Sequence, residues 1–236
     1  AHQYPTGVTL HPERRRALTD WARARGGLIV EDDYDGEFRY DRQPVGALQG
    51  LDPERVVYLG TASKSLAPGL RLGWMVVPGT LLDPVRAVLR ESAEQCGVLD
   101  QLTLADLIDS GAYDRHVRAV RLRYRRRRDQ LVAALAGHVP AVRVTGVAAG
   151  LHAVLELPPD TEETVLRAAR RAGVAVDGLG RFRHPDAAPG AGRDALVVGY
   201  GAPPDHAFTA AVEALCGVLC EVLGGAPGDS PAGVPP

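Results

Sequence analysis

Of the 27 basic residues in this 236-residue chain, one alone is lysine, Lys64. A guanidinium stays protonated and is a poor nucleophile, whereas an amine can lose its proton and add to a carbonyl. Lys64 stands in Thr61-Ala62-Ser63-Lys64, with Arg71 seven residues further on. A second cluster, Glu31-Asp32-Asp33-Tyr34, follows the apolar run 28–30. A carboxylate, a phenol, two hydroxyls, an amine and a guanidinium around one crevice suit an anionic aromatic aldehyde. The amine would form an imine, the carboxylate would hold a proton on a ring nitrogen, and the phenol would hydrogen-bond a ring oxygen. The hydroxyls and the arginine would take a phosphate.

These residues need elements to position them. Pro12 at the start and Gly26-Gly27 at the end bound a helix over Pro12–Arg25, with Leu18, Trp21 and Ala22 on one face. Residues 28–30 read as a buried parallel strand, 56–59 as the next, 60–71 as a loop and 73–77 as another strand. Strands alternating with helices indicate an α/β layer, whose ligands sit beyond the carboxyl ends of the strands. Residues 81–107 are helical in pattern, and 113–136 form a long helix carrying Arg121, Arg123 and Arg125 to Arg128. Short strands at 142–144, 151–157, 174–176 and 196–198, with helices at 160–172 and 205–223, make a second, α+β unit. His152 falls on one of these strands and reads as a packed or half-exposed residue. The Gly/Pro-rich stretch 224–236 is expected to be disordered.

The motifs, taken as a set, resemble the fold-type I aminotransferases that use pyridoxal 5'-phosphate (PLP). They run from Glu31-Asp32-Asp33-Tyr34-Asp35-Gly36-Glu37-Phe38-Arg39-Tyr40, through Pro44-Val45-Gly46-Ala47-Leu48-Gln49, to the segment from Gly60 to Gly73 around Lys64. Within that family they look most like the MocR subgroup of GntR-type regulators, in which a winged-helix DNA-binding domain precedes an aminotransferase-like domain. The opening His2-Gln3-Tyr4-Pro5-Thr6-Gly7 fits the same pattern.

The resemblance implies that Lys64 is the Schiff-base lysine. It implies that Asp32 pairs with the pyridine nitrogen, with Asp33 as its rival by one register, and that Tyr34 meets the ring oxygen. Thr61, Ser63 and Arg71 match positions on the phosphate side. Tyr4 stands where many aminotransferases carry asparagine. Arg181, in Gly180-Arg181-Phe182, matches a substrate-carboxylate arginine of the subgroup, with Arg183 as its rival. The arginine that commoner aminotransferases place in the strand aligned with 196–199 has no counterpart here. The implied architecture is the C-terminal part of the large PLP domain (1–115), a small α+β domain including the connecting helix (116–223), and a tail (224–236). A homodimer follows from the same resemblance.

Composition narrows the function classes. A formal net charge of −2 does not by itself call for nucleic acid or a membrane. The apolar runs read as too short to cross a bilayer, and no signal-peptide pattern opens the chain. Cys96, Cys216 and Cys220 are an odd, sparse set, which points to a reducing compartment, the cytoplasm. No His or Cys cluster offers metal-ligand spacing. The run Arg125 to Arg128 reads as a solvated helix face rather than a DNA contact. Three functions remain: the effector-sensing domain of a PLP-dependent regulator responding to an amino acid or amine, an aminotransferase that completes transamination, and a truncated, non-catalytic piece. DNA would be met only through an upstream winged helix, since these residues hold no recognition helix.

Overall fold

The structure is a computed structural model, and it describes residues 2–40, 45–92, 96–146, 149–187 and 192–224. The chain divides into two compact units, one built mainly from residues 9–122 and the other from residue 123 onward together with residues 4–8.

In the first unit, helix α1 (Pro12–Arg25) begins with a proline in its first turn and ends at Gly26, left-handed at φ 63, whose N–H closes on the last carbonyls. Ala22 of α1 packs with Ile29, Leu48 and Val56, and Leu18 packs against this group. Trp21, expected on the same face, is 53% exposed. Thr19 takes the buried place instead, because three residues on a helix return to nearly the same side, and its hydroxyl is satisfied by Arg16 O at 2.8 Å.

Strand β1 (Ile29–Asp32) runs parallel to β2 (Val56–Thr61), and β3 (Gly73–Val76) runs antiparallel to β2. The sequence reads residues 28–30 as a buried parallel strand. The strand instead begins at Ile29 and is covered on one face only, with Ile29 at 9% and Val30 at 60% exposure. The helical stretch 81–107 is two helices, α2 (Leu82–Glu91) and α3 (Val98–Asp109), neither of which has a buried residue.

Helix α4 (Ala112–His138) begins in the first unit and continues into the second. The second sheet is antiparallel throughout, ordered β4 (Arg143–Thr145), β5 (His152–Glu156), β7 (Ala195–Gly199), β6 (Asp177–Gly178). Helices α5 (Glu162–Arg171) and α6 (Asp205–Leu223) complete this unit. The strand expected at 174–176 is not there. Gly173, at φ 71, turns the end of α5, and Val174 N still bonds Ala169 O at 2.8 Å, so pairing starts only at Asp177.

Two further expectations change. Helix α6 is long and apolar enough, by length and composition, to cross a bilayer. Here Phe208, Val212, Leu215, Cys216, Val218 and Leu219 are buried, as in the core helix of a folded unit. The arginine run is not uniformly solvated either. Arg127 is 6% exposed, because it falls on the stripe Val117, Val120, Tyr124, Leu131 and Leu135 that α4 buries. Its guanidinium donates to Tyr200 O, Gly201 O and Asp205 Oδ1 and lies over the Phe208 ring. Apart from Gly224, the stretch expected to be disordered lies outside the described residues.

Candidate active site

The parallel pairing of β1 with β2 brings two carboxyl ends together, and the register decides which side chains share a face. Val30, Asp32, Leu59 and Thr61 fall on one face, with Asp32 opposite Leu59. Ile29, Glu31, Val56 and Tyr58 fall on the other, over α1. Glu31 spends its carboxylate on this second face, accepting from Leu48 N at 2.7 Å and Gln49 N at 3.0 Å to cap the 3-10 turn Leu48–Gly50. Asp33 is held there too, accepting from the Tyr58 hydroxyl at 2.9 Å. Burial and, next, the Asp33 charge push the Tyr58 phenol well above its ordinary value. Asp32 is exposed on the open face, and its carboxylate takes no hydrogen bond or ion pair among the described residues. The two adjacent aspartates, indistinguishable by spacing, therefore have separate surroundings.

The lysine segment is a tight turn. Ser63 N donates to Thr61 Oγ1 at 3.1 Å, and the Thr61 hydroxyl lies 3.0 Å from both Ser63 Oγ and Leu72 O. Ala62 N bonds Leu72 O at 3.0 Å and Leu66 N bonds Ala62 O at 2.9 Å. One helix-like turn thus puts Ser65 inward, at 2% exposure, and Lys64 outward. Upstream, Gly60 admits the Trp74 indole, which a side chain at that position would overlap. Arg71 ends the segment with φ 52, a left-handed conformation that costs an ordinary residue about 1–2 kcal/mol. Its guanidinium, like the Lys64 amine, has no partner among the described residues.

The donor set fits PLP. Asp32 at the end of β1, Lys64 after β2 and Arg71 ahead of β3 take no side-chain partner among the described residues, while Ser63 adjoins Lys64 in the turn and Tyr34 is half-buried in the loop after β1. Thr61 departs from expectation in one respect: its hydroxyl is engaged in shaping the turn.

Six of the expected residues, Asp32, Tyr34, Thr61, Ser63, Lys64 and Arg71, lie in the first unit, while Tyr4 and Arg181 belong to the second. There, Tyr4 meets His152 and Phe182 edge-on, at ring-centroid distances of 4.8 and 5.3 Å. His152 Nε2 lies 3.0 Å from Pro5 O. Arg181 pairs with Asp177 at 2.6 Å in an exposed position, and Arg183 donates to Arg193 O at 3.1 Å.

Sequence reasoning missed one network in the first unit. Tyr113 Oη donates to Glu37 Oε1 at 2.6 Å and lies 2.8 Å from Ser65 Oγ, while His116 Nε2 lies 2.8 Å from Ser65 O. Nothing local announces it, since its partners are 48 to 76 residues apart.

A family model described as aminotransferase class I and II matches residues 3–193. Among curated proteins, the HTH-type transcriptional regulator YhdI of Bacillus subtilis, itself uncharacterized, is 41% identical over 75% of the chain and 38% of its own length. The pyridoxine biosynthesis transcriptional regulator PdxR of Corynebacterium glutamicum is 34% identical over 85% of the chain and 43% of its own length. Among solved structures, a kynurenine aminotransferase of Pyrococcus horikoshii in complex with PMP superposes with a TM-score of 0.79, at 29% identity, over 93% of this chain and 54% of its own. The chain thus spans less than half the length of these curated relatives.

Proposed function

Because the chain belongs to the aminotransferase class I and II family, we propose that it holds PLP through Lys64 and serves as the effector-sensing part of a longer transcription regulator. The observation that carries this reading is the likeness to HTH-type regulators, 34–41% identical across most of this chain. When bound, the cofactor supplies an aldehyde and an electron-withdrawing ring. Lys64 provides the amine that anchors it. Asp32 keeps a proton on the ring nitrogen, Tyr34 hydrogen-bonds the ring oxygen, and Arg71 and Ser63 hold the phosphate inside the turn that Thr61 shapes. Arg181 exchanges Asp177 for the carboxylate of an amino acid. A sensor needs differential binding between two states, not rapid release of product. The reading includes a cytoplasmic homodimer that meets DNA through a winged helix outside these residues.

The test uses the full-length protein. Borohydride should fix the cofactor on Lys64, and Lys64→Arg should abolish the link although charge is kept. The cognate amino acid or amine should change the visible spectrum with little or no keto acid released. Arg181→Ala should weaken that response to ligands bearing a carboxylate by about 1.5–3 kcal/mol and spare the cofactor. A second reading, an aminotransferase that completes the reaction, draws on the likeness to solved aminotransferases at 28–29% identity. Sustained turnover near about 10 per second would favour it over the sensor.

A further inference from the structure

Tyr113 and His116 lie in the first two turns of α4, and both act on the residue that follows the lysine. A carboxylate only accepts, so the Tyr113 hydroxyl gives its proton to Glu37 at 2.6 Å. The Ser65 hydroxyl, 2.8 Å from the phenol oxygen, then donates to it. The carbonyl of Ser65 only accepts, so His116 carries its proton on Nε2 and donates at 2.8 Å. Ser65 is thereby gripped through its side chain and its main chain, at 2% exposure. Glu37 lies three residues beyond Tyr34, so the same chain of bonds ties the loop after β1 to the lysine turn after β2. Burial and the bond to Glu37 push the Tyr113 phenol up to about 12, so at neutral pH it stays a donor.

We propose that Tyr113, His116 and Glu37 are positioning residues for Lys64: they clamp Ser65 so that the lysine is presented on the outer side of its turn in register with Asp32 and Tyr34. The inference rests on PLP as the ligand of Lys64, but the clamp itself is readable without the cofactor. Lys64 is exposed and its amine has no partner among the described residues, so the turn is held by other groups. The clamp joins the bond of Ala62 N to Leu72 O and the burial of Ala62 in holding the segment between Ala62 and Leu66.

Full-length protein carrying Tyr113→Phe, Ser65→Ala or Ser65→Thr is compared with wild type in two measurements. Hydrogen exchange on cofactor-free protein should rise at least tenfold in peptides covering 62–66 in Tyr113→Phe and Ser65→Ala, with α1 peptides unchanged. PLP capture by Lys64 should weaken about tenfold in the same two variants, with a shifted pH midpoint of the visible band. Ser65→Thr, which keeps the hydroxyl, should behave as wild type. Exchange raised equally in α1 and in 62–66, with PLP capture and the band unchanged, makes the network an ordinary stabilising contact and overturns the proposal. Wild type that takes no PLP at Lys64 while Tyr113→Phe still loosens 62–66 removes the proposed function and keeps the clamp. Wild type that takes PLP while Tyr113→Phe changes neither readout removes the clamp and keeps the function.

Discussion

Asp33 accepts a hydrogen bond from Tyr58 at 2.9 Å on the face of the first sheet that covers α1, while its neighbour Asp32 stands on the opposite, open face. Two carboxylates one residue apart are thus committed to different work, and substitution should separate them. Asp33→Asn should cost about 1–2 kcal/mol of stability through the weakened bond to Tyr58 and leave PLP affinity nearly unchanged. Asp32→Asn should leave stability within about 0.5 kcal/mol and weaken PLP binding at least tenfold, about 1.4 kcal/mol. Urea unfolding and PLP titration on both variants decide it. The reverse pattern would move the cofactor to the other face.

Arg71 sits at φ 52 with its guanidinium unpartnered among the described residues. Glycine adopts this conformation without penalty, so Arg71→Gly should leave the cofactor-free fold as stable or raise its stability by up to about 1 kcal/mol. The same change should remove most of the affinity for inorganic phosphate and for PLP. A variant that loses stability and keeps both affinities would show that the arginine serves the fold.

The two raised phenols set an alkaline limit. Tyr58 is raised by burial and the Asp33 charge, and Tyr113 is pushed up to about 12 by burial and its bond to Glu37, both from an ordinary 10.0. Each folded value lies above the unfolded one, so the stability these groups contribute is intact below about pH 10 and is lost as pH rises toward and through about 12. Tyr113→Phe should start from lower stability at about pH 9 and lose less on the way up. Urea midpoints measured across that range check it, and parallel curves for wild type and variant would count against the assignment.

The arginine run should divide by burial. Arg127→Met takes a donor from the buried Tyr200 O, from Gly201 O and from the exposed Asp205 carboxylate, and should cost about 2 kcal/mol. Arg126→Ala, on the exposed side of the same helix, should stay within about 0.5 kcal/mol. Thermal unfolding of the two variants gives the comparison directly.

How far the sequence carries the fold depends on where the deciding contact lies. Helices α1 and α6 are legible to the residue because Pro12, Gly26 and Gly224 mark their ends locally. Residues 174–176 have strand composition, yet the left-handed Gly173 keeps Val174 in the cap of α5. Lys64 and Arg71 stand out by residue type and spacing. Which aspartate faces outward is set by pairing across β1 and β2, which no local pattern contains. Arg127 interrupts an apolar stripe at helical spacing, a local signal that the surrounding run of like charges masks. The clamp on Ser65 joins residues from three distant stretches and has no local signature.

The lone lysine, exposed beside a buried serine, gives the chain a built-in counter. Lysyl endopeptidase can cut these residues at one peptide bond only, between Lys64 and Ser65. A lysine carrying a reduced cofactor is refused by that protease. After borohydride treatment and unfolding, the uncut fraction of the chain therefore measures how many molecules were loaded, on a gel and without reference to any spectrum.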